Sequence, residues 1–318
     1  MKTIYLCKSA DNIKDVYGVE ANVYNKDYLL KNCEEFKDTE YIFSTWGMPI
    51  LTEAEIKECL PNLKAVFYGA GSVQSFARPF LNLGIKVFSA WAANAVPVAE
   101  YTVAQIILAN KGFFKTMRYT DIKQAKATCG NYMGNYGIKV GIIGAGMIGK
   151  LVLQKLKDYD IDAIVFDPFL SDDAAKDLET EKVDLETLFS ECTVISNHLA
   201  NNEQTKGILD KKLFEKMLPY STFLNTGRGA QVVEPDLIEI LKKRPDITVV
   251  LDVTDPEPPA KDSELYTLEN CILTPHIAGS IGNEVRRMGK YMTDEYQNFI
   301  QNKRCQYEVT LDMLKTMA

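Results

Sequence analysis

The stretch Val140-Gly141-Ile142-Ile143-Gly144-Ala145-Gly146-Met147-Ile148-Gly149 constrains this chain more than any other. The four residues before Gly144 are short, apolar and rich in Val and Ile, the pattern of a buried strand. Gly144, Gly146 and Gly149 then spell G-x-G-x-x-G, and Ile148, Leu151, Val152 and Leu156 recur at helical spacing. The first glycine permits a tight turn, the second lets a pyrophosphate approach the backbone, and the third lets helix and strand pack closely. The helix start offers unpaired N–H groups and the positive end of its dipole to the phosphates. A second strand, Ala163-Ile164-Val165-Phe166, ends at Asp167, 23 residues past Gly144, where a ribose hydroxyl needs an acceptor. Glycines at this spacing also occur in ordinary turns, and a methyltransferase-type α/β fold is the rival. Strand, glycines, helix, strand and acid in this order favour a dinucleotide site.

A length of 318 residues suggests two domains, and 46% hydrophobic with 25% charged residues is ordinary globular composition. The net charge of −7 argues against a nucleic-acid surface and shows no sign of an anionic-membrane partner. Seven cysteines lie scattered without C-x-x-C, which fits reduced thiols in a cytoplasmic protein. The N-terminus, Met1 to Lys8, turns polar at once and reads as a strand too short for a signal h-region, and no apolar run is expected to approach a membrane span.

Before the glycine loop, strand-like runs at 2–8, 21–24, 41–45, 63–68 and 85–88 alternate with helical patterns, among them one capped by Thr52 with Glu55. They predict a small parallel α/β domain. A long helix is expected from Val96 to about Arg118, with Asn94 as cap and Pro97 in its first turn, followed by a loop at 128–137. Runs at 163–167, 193–197, 221–225, 248–253 and 271–274 bring the second sheet to six strands, doubly wound. The amphipathic helix 283–302 does not fit that alternation and is expected to return to the first domain.

In an open parallel sheet, ligands bind beyond the carboxyl ends of the strands. Thr226-Gly227-Arg228-Gly229, Asp252 with Pro256-Glu257-Pro258, and Pro275-His276-Ile277-Ala278-Gly279 follow the last three strands. Arg228, Glu257 and His276 therefore fall at the edge that carries the glycine loop. The chain has two histidines, His198 and His276. Histidine is the natural proton donor near neutral pH, a carboxylate beside it favours the protonated ring, and arginine grips a carboxylate bidentately. His198 follows the strand 193–197 and reads as a cofactor-side or structural contact.

These stretches, with Gly69-Ala70-Gly71 and Asn94 through Glu100, resemble the D-isomer-specific 2-hydroxyacid dehydrogenase family over nearly the whole chain. The resemblance implies Arg228, Glu257 and His276 as the catalytic trio. It implies NAD held by Gly144, Gly146, Met147, Ile148, Gly149, Asp167, His198, Ala200, Thr205, Thr226, Gly227, Arg228, Asp252, His276 and Gly279, with Asp252 on the nicotinamide carboxamide. It further implies a 2-oxo acid held by Arg228, His276 and the backbone at Ala70 and Gly71. Residues 1–98 plus 283–318 would form a discontinuous, flavodoxin-like substrate domain, and 99–282 a Rossmann-type domain, each a parallel sheet with helices on both faces. A homodimer through the cofactor domain is the family habit.

Three positions depart from the family pattern: Ser72-Val73-Gln74 where an Asp is usual, Asn135-Tyr136-Gly137-Ile138-Lys139 for Leu-x-Gly-Lys, and His198-Leu199-Ala200 for His-x-Pro. Corepressors with a similar trio act through protein partners, and formate dehydrogenases pair Gln, not Glu257, with the histidine. Trp46, Met48 and Trp91 follow strand ends of the first domain and line a substrate wall or its core.

Overall fold

In the computed structural model, which describes residues 2–315, the apolar runs form strands that sort into two sheets. The chain divides into one unit of Met1–Asn94 with Ser280–Ala318 and another of Ala95–Gly279. These boundaries fall at 94/95 and 279/280, against the expected 98/99 and 282/283.

The first unit holds β1 (Lys2–Leu6), β2 (Val23–Tyr24), β3 (Thr39–Ser44), β4 (Ala65–Tyr68) and β5 (Lys86–Ser89). The second holds β6 (Ile138–Ile143), β7 (Ile161–Phe166), β8 (Glu181–Lys182), β9 (Val194–Asn197), β10 (Thr222–Asn225), β11 (Thr248–Leu251) and β12 (Cys271–Leu273). A last strand, β13 (Glu308–Val309), belongs to the first unit.

The first sheet runs β13-β5-β4-β3-β1-β2. Its five N-terminal strands are parallel in the flavodoxin-like order. The sixth is a correction to the all-parallel expectation, because β13 pairs antiparallel with β5. One face packs Leu6, Ile42, Val66 and Val87 with the helices that follow the strands. The other packs Phe43, Phe67 and Phe88 against Met288 and Met292 of the helix Val285–Ile300. That helix crosses Ala10–Tyr17 closely: a Cβ on Gly289 would stand 2.0 Å from the Val16 oxygen. Thr52 and Glu55 form the reciprocal cap expected of them.

The second sheet is wholly parallel in the order β12-β11-β10-β9-β6-β7-β8, the doubly wound Rossmann arrangement. It has seven strands, not six; the two-residue β8 was too short to show a period. Strand order reverses between β6 and β9, where such folds bind ligands. Both faces are apolar, one packing Phe189, Phe214 and Phe223, the other Val140, Val152 and Val165.

Several local expectations need correction. The long helix covers Trp91–Ala109, so Pro97 lies inside it rather than in its first turn. Asn94 is likewise helical rather than a cap, and its Oδ1 accepts the Ser280 N–H at 2.9 Å. The segment expected to continue this helix breaks at Gly112, which is left-handed, and resumes as Phe113–Thr116 and Ile122–Cys129. Trp91–Ala109 is also long and apolar enough, by length and composition, to cross a membrane, contrary to the expectation; half of its apolar window is buried in the fold. Cys33 and Cys59 are joined as a disulfide, with Cα atoms 4.3 Å apart, because the helices Cys33–Phe36 and Glu53–Cys59 pack together. The reading of all seven cysteines as reduced thiols therefore falls, and the argument for the cytoplasm with it.

Candidate active site

Strand register builds the site in the second unit. Ile143 lies opposite both Phe166 and Asn197, Asn197 opposite Asn225, Asn225 opposite Leu251, and Leu251 opposite Leu273. All of these strands thus end at one level. The next residues, Gly144, Asp167, His198, Thr226, Asp252 and Thr274, emerge as a row along one edge.

The glycine loop has the shape a pyrophosphate requires. Gly144 has φ +96°, and a Cβ there would stand 2.8 Å from the His198–Leu199 peptide. A Cβ on Gly149 would lie 1.9 Å from the Gly144 oxygen, so only glycine lets the helix Met147–Leu156 start this close. Around Gly146 nothing lies within 4 Å of the same construction, which leaves the approach open. Met147 and Ile148 form the first turn of that helix. Asp167 accepts the Ala145 N–H at Oδ2 and the Phe169 N–H at Oδ1, both at 2.7 Å. Its carboxylate thereby stands against the glycine loop and also closes its own turn.

The catalytic candidates come together on three loops. His276 Nδ1 meets Glu257 Oε1 at 2.6 Å, with both side chains partly exposed. Nε2 meets no partner among the described residues, so it is the nitrogen left to face a reacting oxygen. Burial pulls the Arg228 guanidinium below its usual value, and the Glu257 charge partly opposes that shift. The two loops touch through the backbone. A Cβ on Gly229 would stand 1.9 Å from the Thr254 carbonyl carbon, so any side chain there would push the arginine and glutamate loops apart.

Three of the residues expected to contact the cofactor have their side chains engaged within the protein. The His198 ring is buried, with Nε2 on Ser196 Oγ at 2.9 Å and Nδ1 on Thr226 Oγ1 at 3.1 Å. Burial lowers its pKa to about 3, so it is a neutral structural ring. The Thr205 hydroxyl turns back to the Ala200 oxygen at 2.7 Å, inside its own loop. The Asp252 carboxylate is buried and accepts Thr274 Oγ1 at 2.5 Å and the Ile277 and Ala278 N–H groups at 2.9 Å each. In this structure it anchors the loop of His276 rather than facing outward. Sequence reading missed Thr274, and Tyr101, whose hydroxyl lies 3.2 Å from it. Their side-chain hydrogen bonds, Thr274 to Asp252 and Tyr101 to Thr274, reveal them.

In the first unit, Ser89 Oγ holds the Ala70 and Gly71 oxygens at 2.9 and 2.7 Å. The N–H groups of Ala70 and Gly71 meet no acceptor among the described residues. Met48 is buried in the core, and Trp91 packs edge-on against Tyr307 at 5.7 Å, in keeping with the core alternative. Trp46 remains exposed.

Residues 103–278 match the family model described as "D-isomer specific 2-hydroxyacid dehydrogenase, NAD binding domain". The chain belongs to the D-isomer specific 2-hydroxyacid dehydrogenase family. The match covers β6 to β12 and every catalytic candidate, and NAD is the cofactor of this family domain. A D-3-phosphoglycerate dehydrogenase of Archaeoglobus fulgidus is 29% identical over 249 residues, 77% of this chain and 47% of that protein. The chain thus spans about half the length of that relative. A hydroxypyruvate reductase of Thermotoga maritima is 31% identical over 280 residues, 82% of this chain and 90% of that protein. The NAD complexed form of a family member from Lactobacillus delbrueckii ssp. bulgaricus shares the fold, with a TM-score of 0.78 at 17% identity over 98% of this chain and 100% of that one.

Proposed function

We propose that the protein is an NAD-dependent oxidoreductase that interconverts a 2-oxo acid and a D-2-hydroxy acid. The observation that carries this reading is the Glu257–His276 pair at 2.6 Å, set beside Arg228 at the edge that holds the glycine loop. Bound NAD(H) supplies the hydride chemistry at the substrate's C2. The open approach at Gly146, the helix start at Met147 and the carboxylate of Asp167 fit its pyrophosphate and ribose.

The side chains do the rest. Arg228 holds the substrate carboxylate and polarises the keto oxygen, a planar donor for planar acceptors. Within the first unit, the N–H groups of Ala70 and Gly71 are left free to donate. His276 Nε2 gives its proton to the keto oxygen in reduction and takes it back in oxidation. Glu257 at Nδ1 orients the ring and leaves Nε2 free. Asp252 holds the loop on which that ring stands.

Among acids, a small or apolar side chain suits the exposed Trp46 better than a phosphate does. The quaternary reading is a homodimer through the second unit. Phe113, Met117, Ile122, Met133 and Tyr136 all leave large apolar surfaces exposed within one segment of that unit.

The test is NADH oxidation followed against pyruvate, glyoxylate, hydroxypyruvate, 2-oxoisocaproate and 3-phosphohydroxypyruvate. Turnover is expected with at least one unphosphorylated acid. Tight NADH binding without turnover of any acid would favour a sensing protein that works through partners.

A further inference from the structure

Three primary amides lie buried behind the arginine loop: Asn197 ends β9, Asn225 ends β10, and Gln231 closes the 3₁₀ turn Gly229–Gln231. None reaches solvent, so each must satisfy its donors and acceptors inside the protein. Gln231 does so completely. Its Oε1 accepts Asn197 Nδ2 at 2.6 Å and the Arg228 N–H at 3.2 Å. Its Nε2 donates to the Leu199 oxygen at 2.8 Å and the Ala200 oxygen at 3.0 Å. An amide has two acceptor and two donor positions, and all four are filled. Turning the amide over would set donors against donors and acceptors against acceptors, so its orientation is fixed.

These bonds join two loops that the strand order places side by side. The Arg228 peptide is held from both directions, its N–H by Gln231 and its oxygen by Asn225 Nδ2 at 3.2 Å. Asn225 Oδ1 in turn accepts the Gly227 N–H at 3.1 Å and Asn197 Nδ2 at 3.0 Å. On the other side, the segment Leu199–Ala200 follows His198, where this chain lacks the proline of the family pattern. Proline would stiffen that segment by fixing φ; here two bonds from one side chain hold it.

We propose that Gln231 is a positioning residue that sets Arg228 and the Leu199–Ala200 segment as one unit, coupling the grip on the acid to the cofactor-side loop. This rests on Arg228 being the ligand of the substrate carboxylate and keto oxygen. Gln231 touches neither substrate nor cofactor and acts through the two backbones.

Two variants separate the halves of the coupling. Gln231→Glu keeps the acceptor for the Arg228 N–H and loses the amide donors to Leu199 and Ala200. It should weaken NADH binding several-fold, read by fluorescence quenching, and leave KM for the acid near the wild-type value. Gln231→Met is close in shape and loses all four bonds. It should also raise KM for the acid and lower kcat, so that kcat/KM falls about tenfold or more per folded molecule. A Met variant with a lowered Tm but unchanged kcat, KM and NADH affinity would make Gln231 merely structural. If the Met variant does not fold, the Glu variant decides, since unchanged NADH affinity overturns the coupling. Wild-type protein that reduces no acid would instead defeat the functional reading, and NADH affinity in the two variants would still test the loop half of the proposal.

Discussion

The two histidines of this chain stand at the same sheet edge and differ in almost everything else. His276 is half-exposed, tied at one nitrogen to Glu257 and free at the other. His198 is buried, tied at both nitrogens to hydroxyls, and held neutral by burial down to a pKa of about 3. Replacing His276 by Ala should lower turnover by roughly 10²–10⁴-fold while NADH still binds, since that is what a general acid contributes. Near-normal turnover would remove it from the mechanism. For His198 the consequence is acid lability. The folded ring stays neutral down to about pH 3, whereas the unfolded ring takes up a proton below about 6.5. Its contribution to stability is therefore complete above about pH 6.5 and is lost as pH falls towards 3. Urea unfolding of His198→Gln at pH 7 and pH 4.5 should show a smaller pH dependence than the wild type, and equal slopes would refute this. The sequence placed both rings after strands but could not separate them, because burial by neighbouring loops is a tertiary fact.

At the scale of elements, the decisive feature is that six neighbouring strands stop in register, so short loops deliver glycines, acids and the trio to one row. Much of this was legible. Strand ends read from apolar runs came within one or two residues for most strands, and the glycine spacing located the tight turn between β6 and the helix Met147–Leu156. What the residues alone hid were the partners of buried polar side chains: Asp252 bonded to the His276 loop, Thr205 within its own loop, and Asn197 to Gln231. The tight contacts make sharp tests. Gly149→Val must drive a side chain into the Gly144 oxygen, so NADH affinity should fall at least tenfold or so while acid-independent folding of the first unit persists, as read by titration calorimetry and circular dichroism. At the end of β7, Asp167 repels a 2′-phosphate and Pro168-Phe169-Leu170 bring no cation. NAD(H) should therefore exceed NADP(H) in kcat/KM, and comparable values for the two cofactors would refute the preference.

For the whole molecule, the segment from Phe113 to Tyr136 is the most conspicuous apolar exposure, with Ile122 81% and Tyr136 79% exposed. A dimer is expected by light scattering, and Ile122→Glu with Tyr136→Glu should shift it towards the monomer; a monomeric wild type would end that reading. The discontinuous first unit was foreseeable because the helix 283–302 had no place in the second sheet's alternation. Its last strand was not foreseeable, since two residues show no period. That arrangement bears on synthesis. Residues 1–94 leave the ribosome before 95–279, yet one face of their sheet packs largely on the helix Val285–Ile300, and its edge strand β5 pairs with β13. The second unit, Ala95–Gly279, contains its own cores and emerges whole before those segments exist. The nascent chain thus carries the bare aromatic face of Phe43, Phe67 and Phe88 through most of translation, a natural site for a chaperone to hold until the final helix arrives.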